Sequence, residues 1–381
     1  MATSTLLKTI SEWLRIFVFS DPHFGHNRTP SLSTLAAVRR YFPDSPETAV
    51  YDICFIPGDF FDHLLTMSDE DVYAAQMAMA HVLRVCAKYN IKLRILEGTR
   101  SHDRGQSKHF LWLNEAMETN CDVKYFTTMT LDYMEEYDLN VLYIPDEYHP
   151  EAEQTYQQAK ELLHSRGLAK ADLSIMHGAW LHQLQGHQSP AYHDAEKWSE
   201  LVTMAILSGH VHTFSRFLKH ISIGSTNRCG HGEEEAKGFL DITYRNKVEH
   251  EFRFIENQLA KKYVTLAVYD FTVTDIAQLI EGQNLPKGSA IRLEHGATDP
   301  MRAILEELQD LYQDYILTSI EKGGKKDNKV NTGFKLLNVG NAVTPLTEEN
   351  LVGLLTEHLQ STGEASGRIN HAVNLVRGVM H

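Results

Sequence analysis

Seven aspartate and histidine side chains in this sequence follow short apolar runs, and together they could hold divalent metal ions. They are Asp21, His23, Asp59, His102, His177, His210 and His212. Carboxylate and imidazole ligands without thiolate suit Mn²⁺, Fe²⁺, Mg²⁺ or Zn²⁺ rather than copper or an iron–sulfur cluster. A carboxylate such as Asp59 can bridge two cations. Two such ions about 3.5–4 Å apart form a clamp for in-line displacement at phosphorus and activate a bound water.

The apolar runs that precede these residues have the pattern of buried strands, with helical patterns between them. The clearest helical pattern begins at Ser68, whose spacing to Asp71 resembles a capping box, and it continues to about Tyr89. Strands that alternate with helices predict a layered α/β domain. In such sheets, ligand chemistry collects outside the carboxyl ends of the strands, which is where these polar residues lie.

Composition restricts the classes of protein. The chain has 381 residues and a net charge of −14, which argues against a free-standing nucleic-acid binder. An enzyme acting on phosphates with this charge needs positive charge from metal ions or from a partner. Four cysteines without a CxxC pair argue against a disulfide framework and suit a reducing cytosol. We find no membrane-spanning run and no signal peptide, so we expect a cytoplasmic protein, in the host cytoplasm if a phage encodes it.

The pattern changes after Glu256. A strand at 264–268, a helix at 274–281, a strand at 290–293 and a helix opened by Asp299-Pro300 predict a small α+β region. This last helix is expected to carry Tyr315 on its apolar face, and residues 321–332 are expected to form a loop. Two short amphipathic helices follow, at about 348–360 and 368–380. We therefore predict three segments, 1–256, 257–343 and 344–381, the last serving as a docking surface for a partner.

The ordered blocks Asp21-x-His23, Gly58-Asp59, Gly98…His102-Asp103, His177-Gly178 and Gly209-His210-x-His212 resemble the calcineurin-like metallophosphoesterases. Within that superfamily, residues 58–62 and 224–239 are similar to the SbcD-type nuclease subunit of SbcCD DNA-repair complexes, and length and spacing resemble its phage members. The resemblance implies an α/β fold, a layered β-sandwich flanked by helices. It also implies a small α+β DNA-capping domain at 257–343 and helices that bind an ATPase at 344–381.

The resemblance also implies roles for single residues. One metal ion would be held by Asp21, His23, Asp59 and His212, and a second by Asp59, His177, His210 and a residue of the third block. Both ions are expected to be Mn²⁺, with Mg²⁺ as the alternative. His102 would stabilise the transition state or act as general acid, supported by Asp62 or Asp103.

The third block departs from the family pattern, in which an asparagine ligates the second metal. Here the stretch is Gly98-Thr99-Arg100-Ser101-His102. Ser101 stands before the histidine, and we expect either its hydroxyl or a water to replace the amide. A neutral hydroxyl at this place predicts a weaker second metal site.

The function implied is a Mn²⁺-dependent DNA phosphodiesterase with exonuclease and endonuclease activity, a homodimer bound to an SbcC-like ATPase. Two alternatives stay open. One is a small-molecule phosphodiesterase or phosphatase of the same fold, against which the segments after Glu256 argue. The other is a non-catalytic scaffold with a decayed metal site, against which the intact aspartates and histidines argue.

Overall fold

The protein is described here by a computed structural model that covers residues 12–67, 69–146, 149–183, 189–297 and 300–322. Its strands, in chain order, are β1 Trp13–Val18, β2 Ile53–Ile56, β3 Lys92–Leu96, β4 Val123–Phe126, β5 Thr130–Met134, β6 Leu139–Ile144, β7 Ala171–His177, β8 Val202–Gly209, β9 Ser215–Phe217, β10 His220–Ser222, β11 Gly238–Arg245, β12 Val248–Glu256, β13 Tyr263–Ala267, β14 Ala290–His295 and β15 Ile316–Glu321. Its α-helices are α1 Ser31–Tyr41, α2 Glu70–Tyr89, α3 His109–Ala116, α4 Ala152–Ser165, α5 Ala195–Leu201, α6 Val273–Gly282 and α7 Met301–Leu311.

Two six-stranded mixed sheets form the larger part of the fold. The first has the order β12-β11-β1-β2-β3-β4, and the second has the order β5-β6-β7-β8-β10-β9. Strands β1 to β4 are parallel, as are β6, β7, β8 and β10, whereas the outer strands β5, β9, β11 and β12 pair antiparallel. The carboxyl ends of the parallel strands in each sheet therefore lie along one edge.

The two sheets pack face to face, and helices cover their outer faces. Strand β1 shows how alternation produces this arrangement. Ile16 and Val18 belong to the apolar layer shared with Leu173 and Leu207 of the second sheet, while Phe17 points into the layer under α1 and α2. A third layer packs α4 and α5 on the second sheet. Burying each such side chain stabilises the fold by about 1.5–3 kcal/mol. The α/β class predicted from the sequence is confirmed.

Helix α2 begins at Glu70, after Asp69, and it ends at Tyr89, where the left-handed backbone of the following Asn90 (φ 56°) caps the last turn. The predicted capping residue Ser68 lies outside the described residues. Met79, Val82, Leu83 and Cys86 of this helix are fully buried. Within the described residues, none of the helices is both long and apolar enough to cross a bilayer.

A smaller parallel sheet, in the order β13-β14-β15, follows Glu256 and packs its own core with α6 and α7. Thr272 and Asp275 form a capping box at the start of α6. The helix predicted to carry Tyr315 ends at Leu311, so Tyr315 lies between α7 and β15, a strand that was not predicted from the sequence. Asp299 and the predicted helices of 344–381 lie outside the described residues.

Candidate metal centre

All seven predicted aspartates and histidines converge where the carboxyl ends of the two sheets meet. The first sheet contributes the residues that follow β1, β2 and β3, and the second contributes the end of β7 and the residues after β8. Among these seven residues, three overlapping groups have ligand atoms close enough to share an ion: a first group of Asp21, His23 and His212; a second group of Asp59, His177 and His210; and a set of His23, Asp59 and His102 that overlaps both. The sequence spans that separate these residues are long, so the sandwich itself assembles the site.

The first group is centred on two imidazole nitrogens. His23 Nε2 lies 3.0 Å from His212 Nε2, and His212 Nε2 lies 3.9 Å from Asp21 Oδ1. Asp21 and His23 are buried, whereas His212 is half-buried. Asp21 also accepts a hydrogen bond from the His210 amide at 2.9 Å, which ties the β8 end to the β1 end.

The second group is centred on Asp59. Its Oδ2 atom lies 3.2 Å from His177 Nε2 and 3.8 Å from His23 Nε2, so one carboxylate oxygen is close to both groups. His177 is fully buried at the end of β7, and His210 is half-buried. Asp59 therefore lies where its carboxylate could contribute to an ion held by either group.

For two of the histidines, hydrogen bonds fix which ring nitrogen faces the centre. The Nδ1 atom of His177 lies 2.6 Å from the Pro57 carbonyl and must donate to it. The Nδ1 atom of His212 lies 2.9 Å from Glu233 Oε1 and donates to that carboxylate. In the neutral rings, Nε2 then carries a lone pair directed into the site, as in metal-ligating histidines.

The electrostatics of the centre favour positive charge. Burial alone would lower the pKa of His212, but hydrogen bonds with Cys229 and Glu233 and the charge of Asp21 raise it to about 10. Burial likewise opposes ionisation of His177, yet the Asp59 carboxylate holds its pKa well above the ordinary value. Asp21 Oδ2 is buried and has no hydrogen-bond partner among the described residues. A carboxylate oxygen left open beside paired imidazoles fits a divalent cation.

His102 lies beside the first group, and its ring meets that of His23 edge to face with centroids 5.0 Å apart. The two carboxylates predicted to support it have other partners. Asp103 is fully buried and accepts hydrogen bonds from the amides of Phe61 and Gly98, at 2.9 and 2.8 Å. Asp62 Oδ1 lies 3.3 Å from His23 Nδ1. Asp103 therefore fixes the loop, and Asp62 positions His23 rather than His102.

The predicted hydroxyl ligand Ser101 is exposed, and its carbonyl accepts a hydrogen bond from Arg104. The hydroxyl that enters the second group belongs to Thr99, which is 8% exposed. Thr99 directly follows Gly98 at the end of β3, so the two extra residues of this loop fall after it. The sequence signal for Thr99 is its position directly after Gly98, the glycine that follows β3.

Two carboxylates near the centre were not predicted as site residues. Asp146 follows β6, and its Oδ2 lies 3.9 Å from His210 Nδ1. It also lines a depression of about 380 Å³ together with His193 and Pro150. Glu233, which holds His212, appeared in the sequence only as part of a longer similar stretch. The strand before Asp146 has the same strand-then-polar pattern as the other five and could have identified it.

Four of the predicted ligands have left-handed backbone conformations, with φ of 50° at Asp21, 46° at His23, 48° at Asp59 and 85° at His210. Such conformations cost non-glycine residues about 1–3 kcal/mol each and concentrate at functional sites. Glycine is favoured at position 58 by its positive φ of 92° and also by the space available for a side chain. A Cβ at this position would lie 2.5 Å from His177 Nδ1. The local backbone is therefore built around the placement of these side chains.

No protein-family model matches this chain, and no curated protein matches it either. Among solved structures, the crystal structure of TT1561 of Thermus thermophilus is 12% identical, covers 63% of this chain and 98% of that chain, and has a TM-score of 0.36. A second solved structure is 9% identical, covers 65% of this chain and 100% of that chain, and has a TM-score of 0.38. The fold and the site define a layered α/β protein with clustered His and Asp residues that could hold a metal ion.

Proposed function

We propose that this chain is a two-metal phosphodiesterase of the calcineurin-like metallophosphoesterase type, with the fold of that superfamily. The observation that carries the proposal is the position of Asp59. One of its carboxylate oxygens approaches His177 at 3.2 Å and His23 at 3.8 Å, between two groups of ligand atoms. A shared carboxylate between paired cations is the arrangement used for in-line displacement at phosphorus.

The residues present fit two divalent ions, with Mn²⁺ the first choice and Mg²⁺ the second. Asp21, His23, Asp59 and His212 would hold one ion. Asp59, His177 and His210 would hold the other. When bound, the ions supply Lewis acidity toward the phosphate oxygens and make water a better nucleophile.

The chain's own residues have separable tasks in this scheme. Asp62 and Glu233 orient His23 and His212 through their Nδ1 atoms. Pro57 does the same for His177 through its carbonyl. His102, next to His23 but held by neither neighbouring carboxylate, would give a proton to the departing oxygen. General acid catalysis of this kind contributes about 10²–10⁴-fold to the rate.

Within this class we propose the narrower identity of an SbcD-type nuclease subunit that acts on DNA as a homodimer with an SbcC-like ATPase. The motif resemblance of residues 58–62 and 224–239 supports this proposal, as does the small α/β unit after Glu256. The net charge of −14 indicates that a partner must contribute to DNA affinity. The partner would dock on the apolar faces of residues 344–381.

The proposal is tested with the full chain stripped of metal by EDTA and then titrated with Mn²⁺. Native protein should bind two ions and hydrolyse both bis-p-nitrophenyl phosphate and end-labelled duplex DNA. Asp59→Asn should lose both activities. The control Asp44→Asn, which changes an exposed carboxylate paired with Lys88, should keep them. Hydrolysis of the small diester without DNA cleavage would favour a small-molecule phosphodiesterase, and failure to bind metal would favour a scaffold.

The partner proposal needs a separate measurement. Leu354→Asp and Leu355→Asp replace two leucines of the amphipathic helix predicted at about 348–360 and place charges on its predicted apolar face, whereas Thr356→Asp changes a polar position of the same predicted helix. The leucine variants should no longer co-purify with an SbcC-like ATPase, yet should hydrolyse the small diester at the native rate. Equal co-purification of all three variants would refute docking through this helix.

A further inference from the structure

We infer that the Thr99 hydroxyl is a ligand of the second ion, an inference that rests on the proposed two-metal function. Thr99 Oγ1 lies 3.2 Å from Asp59 Oδ2, 3.3 Å from His177 Nε2 and 3.2 Å from His210 Nδ1. It is therefore almost equidistant from one atom of each residue in the second group.

These separations match atoms that share one ion. Neighbouring ligands bound at about 2.0–2.2 Å are separated by about 2.8–3.1 Å in octahedral and about 3.3–3.6 Å in tetrahedral geometry. The Asp59 Oδ2 to His177 Nε2 distance of 3.2 Å lies between these two ranges. The hydroxyl thus lies at nearly the same distance from one ligand atom of each residue in the second group.

The donor atoms around the hydroxyl fit an ion once His177 is in the neutral form that can ligate. A hydroxyl has one proton and can donate to only one acceptor. Asp59 Oδ2 is an acceptor, and in the neutral ring His177 Nε2 is another, because its Nδ1 atom donates to the Pro57 carbonyl. A cation between the three atoms would meet a lone pair from each of them.

The backbone fixes Thr99 in this position. Its amide donates to Asp59 Oδ1 at 2.6 Å, and its carbonyl accepts from the amides of His102 and Asp103 at 2.9 and 3.0 Å. The preceding amide, that of Gly98, donates to the buried Asp103 carboxylate. Ser101 lies on the exposed part of the same loop and has no comparable constraint among the described contacts.

The chemistry of this ligand set makes the two positions unequal. The first ion would meet two carboxylates, Asp21 and Asp59, whereas the second would meet Asp59, a neutral hydroxyl and two imidazoles. A neutral hydroxyl is a weaker donor than a carboxylate. The second ion should therefore bind less tightly than the first, and its affinity should depend on Thr99.

The test is a calorimetric Mn²⁺ titration of the full chain, with electron paramagnetic resonance to report coupling between the two ions. Thr99→Val keeps the side-chain shape and removes the hydroxyl, and it should weaken the second ion about 10–100-fold, with loss of the coupling signal. Thr99→Ser should restore binding. Ser101→Ala should bind both ions like the native chain. Thr99→Ala repeats the test if the valine variant does not fold, with thermal unfolding in EDTA as the folding control.

Native-like binding of both ions by Thr99→Val, or loss of the second ion in Ser101→Ala, would overturn this inference alone. A native chain that binds no ions would overturn the two-metal function as well. The native titration, run first, distinguishes the two failures.

Discussion

Replacing Glu233 by glutamine should weaken binding of the first ion, because Glu233 fixes the orientation of His212. Its Oε1 accepts from His212 Nδ1 at 2.9 Å. Its Oε2 accepts from the Cys229 amide at 3.1 Å and pairs with Lys237 at 3.0 Å. Burial would raise the pKa of Glu233, but the His212 hydrogen bond and the charges of His212 and Lys237 hold it at about 2. The carboxylate is therefore ionised at neutral pH.

Glu233 uses one carboxylate oxygen for His212 and the other for Cys229 and Lys237, whereas glutamine has a single side-chain carbonyl oxygen. The Lys237 side chain is fully buried, and leaving its ammonium without an acceptor would be costly. We therefore expect the glutamine oxygen to face Lys237. The amide NH₂ would then face His212 Nδ1 and favour the tautomer with the proton on Nε2, which cannot ligate. Loss of such an orienting partner weakens metal affinity about 10–100-fold, equivalent to about 1.4–2.7 kcal/mol.

The assay is a Mn²⁺ titration at pH 7 of the native chain, Glu233→Gln, His212→Ala and Glu235→Gln. Glu235 is exposed and belongs to the same turn, so its variant serves as the matched control. We expect His212→Ala to lose the most affinity, Glu233→Gln to lose an intermediate amount, and the control to match the native chain. If Glu233→Gln binds within about threefold of native while His212→Ala does not, the orienting role is refuted.

Three further predictions concern stability, and chemical denaturation measures each. Gly58→Ala should lower the free energy of unfolding by about 2 kcal/mol or more, because its Cβ would collide with His177 at a left-handed φ, and an unchanged value would contradict this. Asp103→Ala should cost about 2–4 kcal/mol, since two buried amides lose their acceptor, and a loss under 1 kcal/mol would count against that role. Burial raises the pKa of Asp122, but its ion pairs with Arg94 and Lys92 lower it to about 2, so its contribution should be complete above about pH 4 and disappear as pH falls toward 2. After discounting for exposure, Asp122→Asn should cost about 1 kcal/mol at pH 7 and little at pH 2, and an equal cost at both would refute the linkage.

The sequence could predict the convergence of the site because strand ends in parallel sheets are geometrically equivalent. Val18 pairs with Phe55 and Phe55 pairs with Arg94, so the residues that follow β1, β2 and β3 leave the sheet at the same level. Apolar runs identify such strands, and the polar residues after them mark the edge. The residue types and the strand pattern therefore predicted the same site without knowledge of the tertiary contacts.

The loop after β3 could not be predicted in the same way. Spacing alone does not tell whether extra residues come before or after a ligand. In the structure the Asp103 side chain binds the Gly98 amide, which closes the loop and leaves Ser101 outside. Whether Gly98 and Asp103 form this bond depends on the folded path of the loop, which the sequence pattern does not show. The sequence therefore predicted a hydroxyl ligand but not the residue that places one in the second group.

Strand β15 was not predicted from the sequence for a different reason. Ile316–Glu321 is mostly exposed, and its sequence lacks the apolar density of the buried strands. Its pairing with β14 from Ala290–Ile316 to His295–Glu321 determines its structure. Strand preference depends on neighbours more than helix preference does, so an edge strand of this kind is difficult to recognise from one sequence.

The left-handed backbone at Asp21, His23, Asp59 and His210 has an evolutionary consequence. Glycine adopts this conformation without the Cβ penalty, so each of these side chains is kept against a local gain in stability. If they hold the proposed metal ions, selection for that role opposes the gain for as long as the protein uses the site. In a descendant that no longer needs metal, glycine or asparagine should accumulate at these four positions first. The residues at these positions in a set of related chains would therefore record which lineages still depend on the centre.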